Sequence, residues 1–437
     1  MKLLIVSNYF WPEDFRINEL AFQLAEKGHD VTVMTGIPNY PKGKFYDGYG
    51  FFRKRYEVKN GVKIHRKPLV PRGSGRRRWL ALNYVSSAVS FCMSALWFGR
   101  KKYDAILVFN ISPATVGLPA VLMRAIYKTP VVMWVLDLWP ENISATAAIQ
   151  NPRILGAIRR MMKFIYRRCD RILISSKGFQ EKIEEVGGYS GQYTYFPNWI
   201  DESETVFSNP ENVELPALPE GFRVVFTGNI GTAQDFGTVL SAAELLKDRA
   251  DIQWVIVGDG READWVREEI QKRGLEDCVS LPGRFPSSTM PWFYDQADAL
   301  LLPLRKSPVF ELTVPRKMQA YLAAGRPVIA SMGGDGAAII KEADAGVSCS
   351  PQDPEGLAKC VLSLYGLSPE QRQQMGDNGK DFCRQHFDSH KQFRLLDQVL
   401  SEVTGIPNDA DWSQPDATID QQDVVLSETP SQEIQNV

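Results

Sequence analysis

Short apolar runs alternate with longer stretches in which apolar residues recur every three or four positions, and this alternation runs along the chain twice. Leu3–Ser7 is an apolar run. Ile17, Leu20, Ala21 and Leu24 then share one helix face, Gly28 sits where that helix would end, and Asp30–Thr35 is the next strand. Further strands are predicted at Val62–Arg66, Ala105–Phe109, Val131–Leu136 and Arg171–Ser175. A Pro- and acid-rich stretch, about Asn198–Gly221, interrupts the pattern. It restarts with strands at residues 223–228, 253–260, 279–283, 299–304 and 327–331. Strands alternating with helices predict parallel sheets joined by right-handed crossovers.

The fold class is therefore α/β, with two doubly wound domains facing a cleft. Residues 1–198 form the first domain, including a helix over 79–98, and residues 199–385 form the second. Residues 386–404 are a helix returning towards the first domain, with no strand after it. Ligands of such sheets bind at the carboxyl ends of the strands, where the winding reverses. One substrate per domain, with a hinge near 198–221, is the expectation.

Composition changes this picture in two places. A chain of 437 residues is too long for one core, in keeping with two domains. The net charge of −2 hides an uneven distribution: residues 407–437 hold seven acids and no Lys or Arg, which leaves the rest of the chain net positive. Residues 405–437, also rich in Gln, Ser, Pro and Asn, read as a disordered acidic tail. The six cysteines are scattered without a CxxC pair, which points to reduced thiols in the cytoplasm rather than disulfides or zinc. The opening MKLLIVSNYF lacks the features of a secretory signal.

The most informative stretch is Glu311–Gly325, ELTVPRKMQAYLAAG, followed by RPVIAS. A loop carrying Pro315, Arg316 and Lys317 opens a helix, so two cations and a helix N-terminus converge as they would on a diphosphate; an ordinary solvated helix start is the plain alternative. FTGNIGTAQDFG, residues 226–237, is a second candidate: Gly228 and Gly231 permit a tight strand-to-helix turn that lets N–H groups approach a phosphate, and a plain turn reads equally well. In LPGR, residues 281–284, the backbone at Gly283 could meet a nucleobase edge while Arg284 stacks on it; a plain β-turn reads equally well. In VLDLWPEN, residues 135–142, Asp137 ends a strand, where a carboxylate could receive sugar hydroxyls or assist proton transfer, and Trp139 beside it suits a sugar face. Capping of the following helix is the plain alternative for Asp137. His29 reads as structural. The Asp409/Asp411 pair lies in the tail, so no metal site is expected, and the cations at 316–317 would have to stabilise a departing diphosphate.

Trp79–Phe98 is a mostly apolar run of 20 residues between Arg76-Arg77-Arg78 and Arg100-Lys101-Lys102. It is long enough to span a bilayer. Asn83 and four serines dilute it, and a span here would interrupt the first sheet. A helix lying on or embedded in an anionic membrane surface is the expectation. Ile154, Ile158, Met161, Met162 and Ile165 form a second stripe, with Arg159, Arg160, Lys163 and Arg167 pointing elsewhere.

These residues resemble glycosyltransferase family 4, retaining enzymes of the GT-B fold with two Rossmann-like domains, and in particular its branch in bacterial O-antigen, capsule and exopolysaccharide assembly. The likeness covers about residues 1–400 and rests on YFWPED…LAFQLAEKGHDVTVMTGIPNYP, WVLDLWPEN, FPNWID, FTGNIGTAQ and VPRKMQAYLAAGRPVI in order. It implies that the second domain binds a nucleotide-sugar and the first an acceptor. Arg316 and Lys317 would contact the donor diphosphate, with Gly228, Asn229, Gly231 and Gln234 lining the same pocket and Asp137 near the reacting centre. The chain departs from the family where Glu13-Asp14-Phe15-Arg16 replaces a Gly-Gly, where Ala320 stands in place of the second of two spaced glutamates, and where Leu136 replaces a His. Glu311 is the remaining candidate carboxylate, one position out of register.

The reading is a retaining transferase that moves a sugar from a UDP-sugar, or a GDP-sugar, to a polyprenyl-diphosphate-linked saccharide at the cytoplasmic face of the inner membrane. It implies no metal, no other cofactor and no nucleic-acid partner. A nucleotide-sugar epimerase of the same architecture and a non-catalytic nucleotide-sugar-binding protein are the rivals.

Overall fold

In the computed structural model, residues 1–73, 76–145, 150–189, 191–200, 205–209 and 212–407 are described. The tail expected over 405–437 falls outside them from residue 408 on.

The first sheet contains β1 (Lys2–Val6), β2 (Asp30–Gly36), β3 (Tyr56–Lys59), β4 (Val62–Lys67), β5 (Ala105–Asn110), β6 (Val131–Val135), β7 (Arg171–Ile174) and β8 (Gln192–Tyr195). Their order is β3-β4-β2-β1-β5-β6-β7-β8. The pairs around β1 and β5 are parallel, whereas β3 runs antiparallel to β4 at the edge. The second sheet contains β9 (Phe222–Thr227), β10 (Ile252–Val257), β11 (Val279–Gly283), β12 (Ala299–Pro303), β13 (Val328–Ser331) and β14 (Gly346–Cys349), in the order β11-β10-β9-β12-β13-β14 and wholly parallel.

Burial explains which strands the apolar pattern reveals. Every residue of β5, β6 and β10 is buried, as expected where helices cover both faces of a parallel sheet. In the second sheet Val224, Phe226, Trp254 and Ile256 enter one core, and Val225, Val255 and Val257 enter the other. The strands absent from the pattern, β3, β8 and β14, are four residues long, and none of their residues is fully buried, so they carry little apolar signal.

The last helical stretch divides into Pro369–His386 and Ser389–Thr404. By contact the chain forms two compact units. One is Met1–Asp137 with Phe164–Ile172 and the chain from Phe393; the other is Leu138–Lys163 with Leu173–Gln392. Within the first unit Asp397 lies 3.1 Å from the imidazole Nε2 of His29, both side chains 2% exposed, and Glu402 pairs with Arg171 at 2.8 Å. His29 thus joins the final helix to the start of β2.

The helix Arg77–Phe98 is packed with its polar side inward. Asn83, Ser87, Phe91 and Ala95 are buried, while Val85 is 62%, Met93 70% and Trp97 67% exposed. Asn83 Nδ2 donates to the carbonyl of Val70 at 2.6 Å, and Ser86 Oγ accepts the Val70 N–H at 2.9 Å. Residues that dilute the apolar run in sequence are therefore the ones that bind the helix to its unit. Over Arg78–Lys101 the segment is long and apolar enough to cross a membrane by length and composition alone. The stripe on Pro152–Tyr166 is buried at Met162 and Ile165 but leaves Ile154 exposed.

Replacing Asn83 by Ala leaves the Val70 carbonyl without its donor beneath the helix. The expected cost is about 1–3 kcal/mol, read as a lower thermal midpoint by circular dichroism. An unchanged midpoint would show that the clasp does not hold the helix.

Candidate functional site

The second sheet reverses its winding between β9 and β12, and the segments leaving β9, β10 and β11 are hydrogen-bonded backbone to backbone. Gly228 N–H donates to the Val257 carbonyl, Ile230 N–H to that of Asp259 and Gly258 N–H to that of Gly283, each at 2.8 Å. The approach is close enough to require glycine. A Cβ on Gly258 would lie 1.8 Å from the Gly228 oxygen, and one on Gly260 would lie 2.2 Å from the Ile230 oxygen. The strand expected over 253–260 stops at Val257, and the VGDG that follows it is a packed turn. Gly258 and Gly260 are thus site-shaping residues that the sequence reading passed over; a Gly-x-Gly directly after an apolar run was the available signal.

Gly228 has φ +126°, and together with Asn229 it is exposed. Gly231 N–H donates to Gln234 Oε1 at 3.2 Å, so Gln234 braces the turn from within. Thr227 N–H donates to the hydroxyl oxygen of Tyr321 at 2.9 Å. Burial pushes the Tyr321 phenol well above its ordinary range and keeps it neutral. This bond, which the sequence does not announce, ties the end of β9 to the helix Arg316–Ala324.

That helix begins after Pro315 and carries Lys317 in its first turn. The Lys317 ammonium is buried, has no hydrogen-bond partner, and lies 3.9 Å from the centroid of the Phe226 ring. A Cβ on Gly228 would be 3.1 Å from its Nζ. The structure therefore brings together the two motifs that the sequence singled out separately. Burial lowers the Lys317 pKa to about 7. An unpaired buried cation is costly unless an anion meets it, and this one sits at the switch point where α/β sheets take ligands. Arg316 is exposed at the helix start.

The other predicted residues have more limited roles. Glu311 ends a short helix, Pro308–Glu311, and Gly334 packs on its backbone so closely that a Cβ would lie 1.7 Å from the Glu311 oxygen. Gly283, at φ +96°, closes edge strand β11 and accepts from Gly258, while Arg284 beyond it is exposed. In the first unit Asp137 follows β6, its N–H donating to the Asn110 carbonyl at 3.4 Å, and it is partly exposed. Trp139 is only 5% exposed, which corrects the expectation that its ring offers a sugar platform: it packs into the interior instead. A cavity of about 410 Å³ opens beside the turn, lined by Thr232, Asp235, Trp265 and Arg305 among others. Neither Gly228 nor Lys317 lines it. Among the described residues, no group of three or more His, Cys, Asp or Glu could hold a metal ion.

Residues 15–199 match the family model described as a glycosyl transferase 4-like domain, and residues 221–366 match that of glycosyl transferases group 1. A Pseudomonas aeruginosa protein named as a probable glycosyltransferase, WbjE, is 28% identical over 324 residues, covering 71% of this chain and 79% of its own. WcaI of Escherichia coli, named for glycosyl transfer in colanic acid biosynthesis, is 25% identical over 349 residues, covering 74% and 82%. The crystal structure of HepE from Anabaena in complex with UDP and glucose superposes with a TM-score of 0.64 at 15% identity, over 92% of this chain and 99% of that one. At that identity the likeness shows the fold.

Lys317→Met removes a cation that the unliganded protein must bury. Because the folded pKa is depressed, the penalty is present in full below about pH 7 and fades as the pH rises from 7 towards 10.5. The variant is expected to be more stable than the parent by on the order of 1–4 kcal/mol at pH 6.5, with a smaller gap at pH 9. Thermal midpoints at the two pH values check this, and a less stable variant at pH 6.5 would contradict it.

Proposed function

The chain belongs to glycosyltransferase family 4 and acts in polysaccharide biosynthesis, and from that membership we propose that it takes a sugar from a nucleotide-sugar donor, UDP-linked ahead of GDP-linked, and passes it with retention to a polyprenyl-diphosphate-linked saccharide. The observation that carries the donor half is the buried, unpartnered Lys317 ammonium against Gly228. The exposed Gly228–Asn229 corner lets a diphosphate approach the turn closely, and Lys317 supplies the charge. As the bond from the anomeric carbon to the diphosphate oxygen breaks, its electron pair stays on the diphosphate. A cation already in place and shielded from water stabilises that growing charge at no cost in reorganisation. The acceptor hydroxyl forms the new bond on the same sugar face and passes its proton to the carboxylate of Asp137, at the end of β6. Arg316, Gln234 and the Gly283–Arg284 corner complete the donor side in this reading, Gln234 and Gly283 by bracing the turns that hold it.

The acceptor half is supported by the helix Arg77–Phe98. A solvated helix turns polar residues outward, whereas this one turns Val85, Val89, Met93 and Trp97 outward and keeps Asn83 and Ser87 in. Arg76, Arg77 and Arg78 stand at the start of the helix and Arg100, Lys101 and Lys102 follow its end, as suits an anionic membrane surface. The proposed location is the cytoplasmic face of the inner membrane.

The test is thermal stabilisation by UDP, GDP, ADP, CMP and NAD, since a ligand that binds only the folded state raises the midpoint by mass action. UDP or GDP is expected to raise it, and Lys317→Ala to abolish the rise. Because the diphosphate favours the protonated amine, whose pKa in the free protein is about 7, the rise should shrink as the pH increases from 7 to 9. Stabilisation by NAD alone, or by no nucleotide, would sink the donor assignment.

A further inference from the structure

We propose that Arg72, laid across Tyr9 and Tyr40 in the first unit, is the site that receives the phosphate group of the lipid-linked acceptor, and that Glu13 is the positioning residue that holds this site together. The inference rests on the reading of the acceptor as a polyprenyl-diphosphate-linked saccharide. It adds where that diphosphate binds.

The site lies where the first sheet reverses its winding. In the order β4-β2-β1-β5-β6 the chain departs to both sides of β1, and the segments that leave β1 and β2 meet the one that leaves β4. Ligands of α/β sheets collect at this position. The Arg72 guanidinium lies 5.1 Å from the centroid of the Tyr40 ring and 5.8 Å from that of Tyr9, and it donates to the Tyr9 hydroxyl oxygen. Tyr9 is 2% exposed, and burial raises its pKa, so the phenol stays neutral and does not cancel the charge. Among the described residues no carboxylate forms an ion pair with Arg72. Aromatic faces hold a cation in place without neutralising it, which leaves the charge available to an incoming anion.

Glu13 secures the same segment from below. It is 1% exposed, and its Oε1 accepts the N–H groups of Asn39 and Tyr40, each at 2.7 Å. The Asn39 side-chain oxygen then accepts the N–H of Arg72 at 3.1 Å. The carboxyl, the loop and the guanidinium thus form one linked series. The second oxygen of Glu13 is buried without a partner, and burial pushes the pKa up to about 7. The charged and titratable groups facing Glu13 are Arg72, Tyr9, Tyr40 and Tyr46. Of these Arg72 alone carries charge near neutrality, so ionised Glu13 opposes an anion at Arg72 and protonated Glu13 does not.

The position of Arg72 along the chain points to a lipid-borne phosphate. Five residues after it the helix Arg77–Phe98 begins, and the intervening Gly73 packs beneath the Trp79 ring. The segment that carries the cation is therefore the one that leads into the outward-facing apolar helix. A polyprenyl diphosphate brings its anion to the same level, at the boundary between lipid and water.

Calorimetry in detergent with farnesyl diphosphate, farnesol and inorganic pyrophosphate tests this, in the Lys317→Ala background so that the donor turn does not contribute. Arg72→Gln is expected to weaken farnesyl diphosphate at least ~10-fold, the scale of one charge-assisted hydrogen bond, and to leave farnesol unchanged. Tyr40→Ala, at a side chain already 40% exposed, should weaken it in the same sense, which keeps the test open if Arg72→Gln misfolds. Glu13→Gln should flatten the loss of affinity between pH 6 and 8; the ligand's own ionisation is common to both proteins. Unchanged affinity in both the Arg72 and Tyr40 variants overturns the proposal. Equal binding of pyrophosphate and farnesyl diphosphate overturns the lipid-borne source. Stabilisation by UDP, measured separately with Lys317 intact, should survive Arg72→Gln. Its absence in the parent protein would refute the donor reading alone.

Discussion

The close approach of three backbones at the ends of β9, β10 and β11 is the constraint on which the rest of the second unit's site depends. With Gly228, Gly258 and Gly260 lacking side chains, the turns can hydrogen-bond directly to each other, as strands do. This brings the end of β9 against the helix that begins at Arg316, and Tyr321 locks it there through the Thr227 N–H. Lys317 is then left with its ammonium inside the protein and only the face of Phe226 for company. Its depressed pKa follows from that confinement.

The two units manage charge in related ways. In each, a cation stands at the switch point of a parallel sheet against aromatic rings, Lys317 on Phe226 and Arg72 on Tyr9 and Tyr40. Neither is paired with a carboxylate among the described residues. They differ in solvation. Lysine in an apolar setting can give up its proton, whereas arginine stays charged and relies on its flat face and its hydrogen bonds. In the proposed reaction Lys317 would meet an anion whose charge grows as a bond breaks, and Arg72 one that is already fully charged on arrival.

The helix Arg77–Phe98 shows how a single element can serve both fold and surface. Asn83 and Ser86 bind the Val70 backbone and Phe91 and Ala95 pack inward, while Val85, Met93 and Trp97 face outward. The same clasp fixes the segment that carries Arg72.

The two sheets, the helix over 79–98 and the choice of Gly228 and Lys317 as anion-binding candidates were legible in the order of residues alone. Buried parallel strands are continuous apolar runs, and two cations at a helix N-terminus suit an anion. The short, weakly buried strands β3, β8 and β14 could not be read, because with little of them buried there is little periodicity to detect. Only the tertiary structure decided that Trp139 is core, that Gln234 braces its own turn, and that Gly258 and Gly260 are needed for close contact. Glu13 and Arg72 lie 59 positions apart, and what joins them is two hydrogen bonds to the backbone of Asn39 and Tyr40 and one to an Asn39 side chain. Apolar periodicity records which residues leave water. It does not record which polar groups they meet once inside, and that is set by how separate loops come together at the end of a sheet.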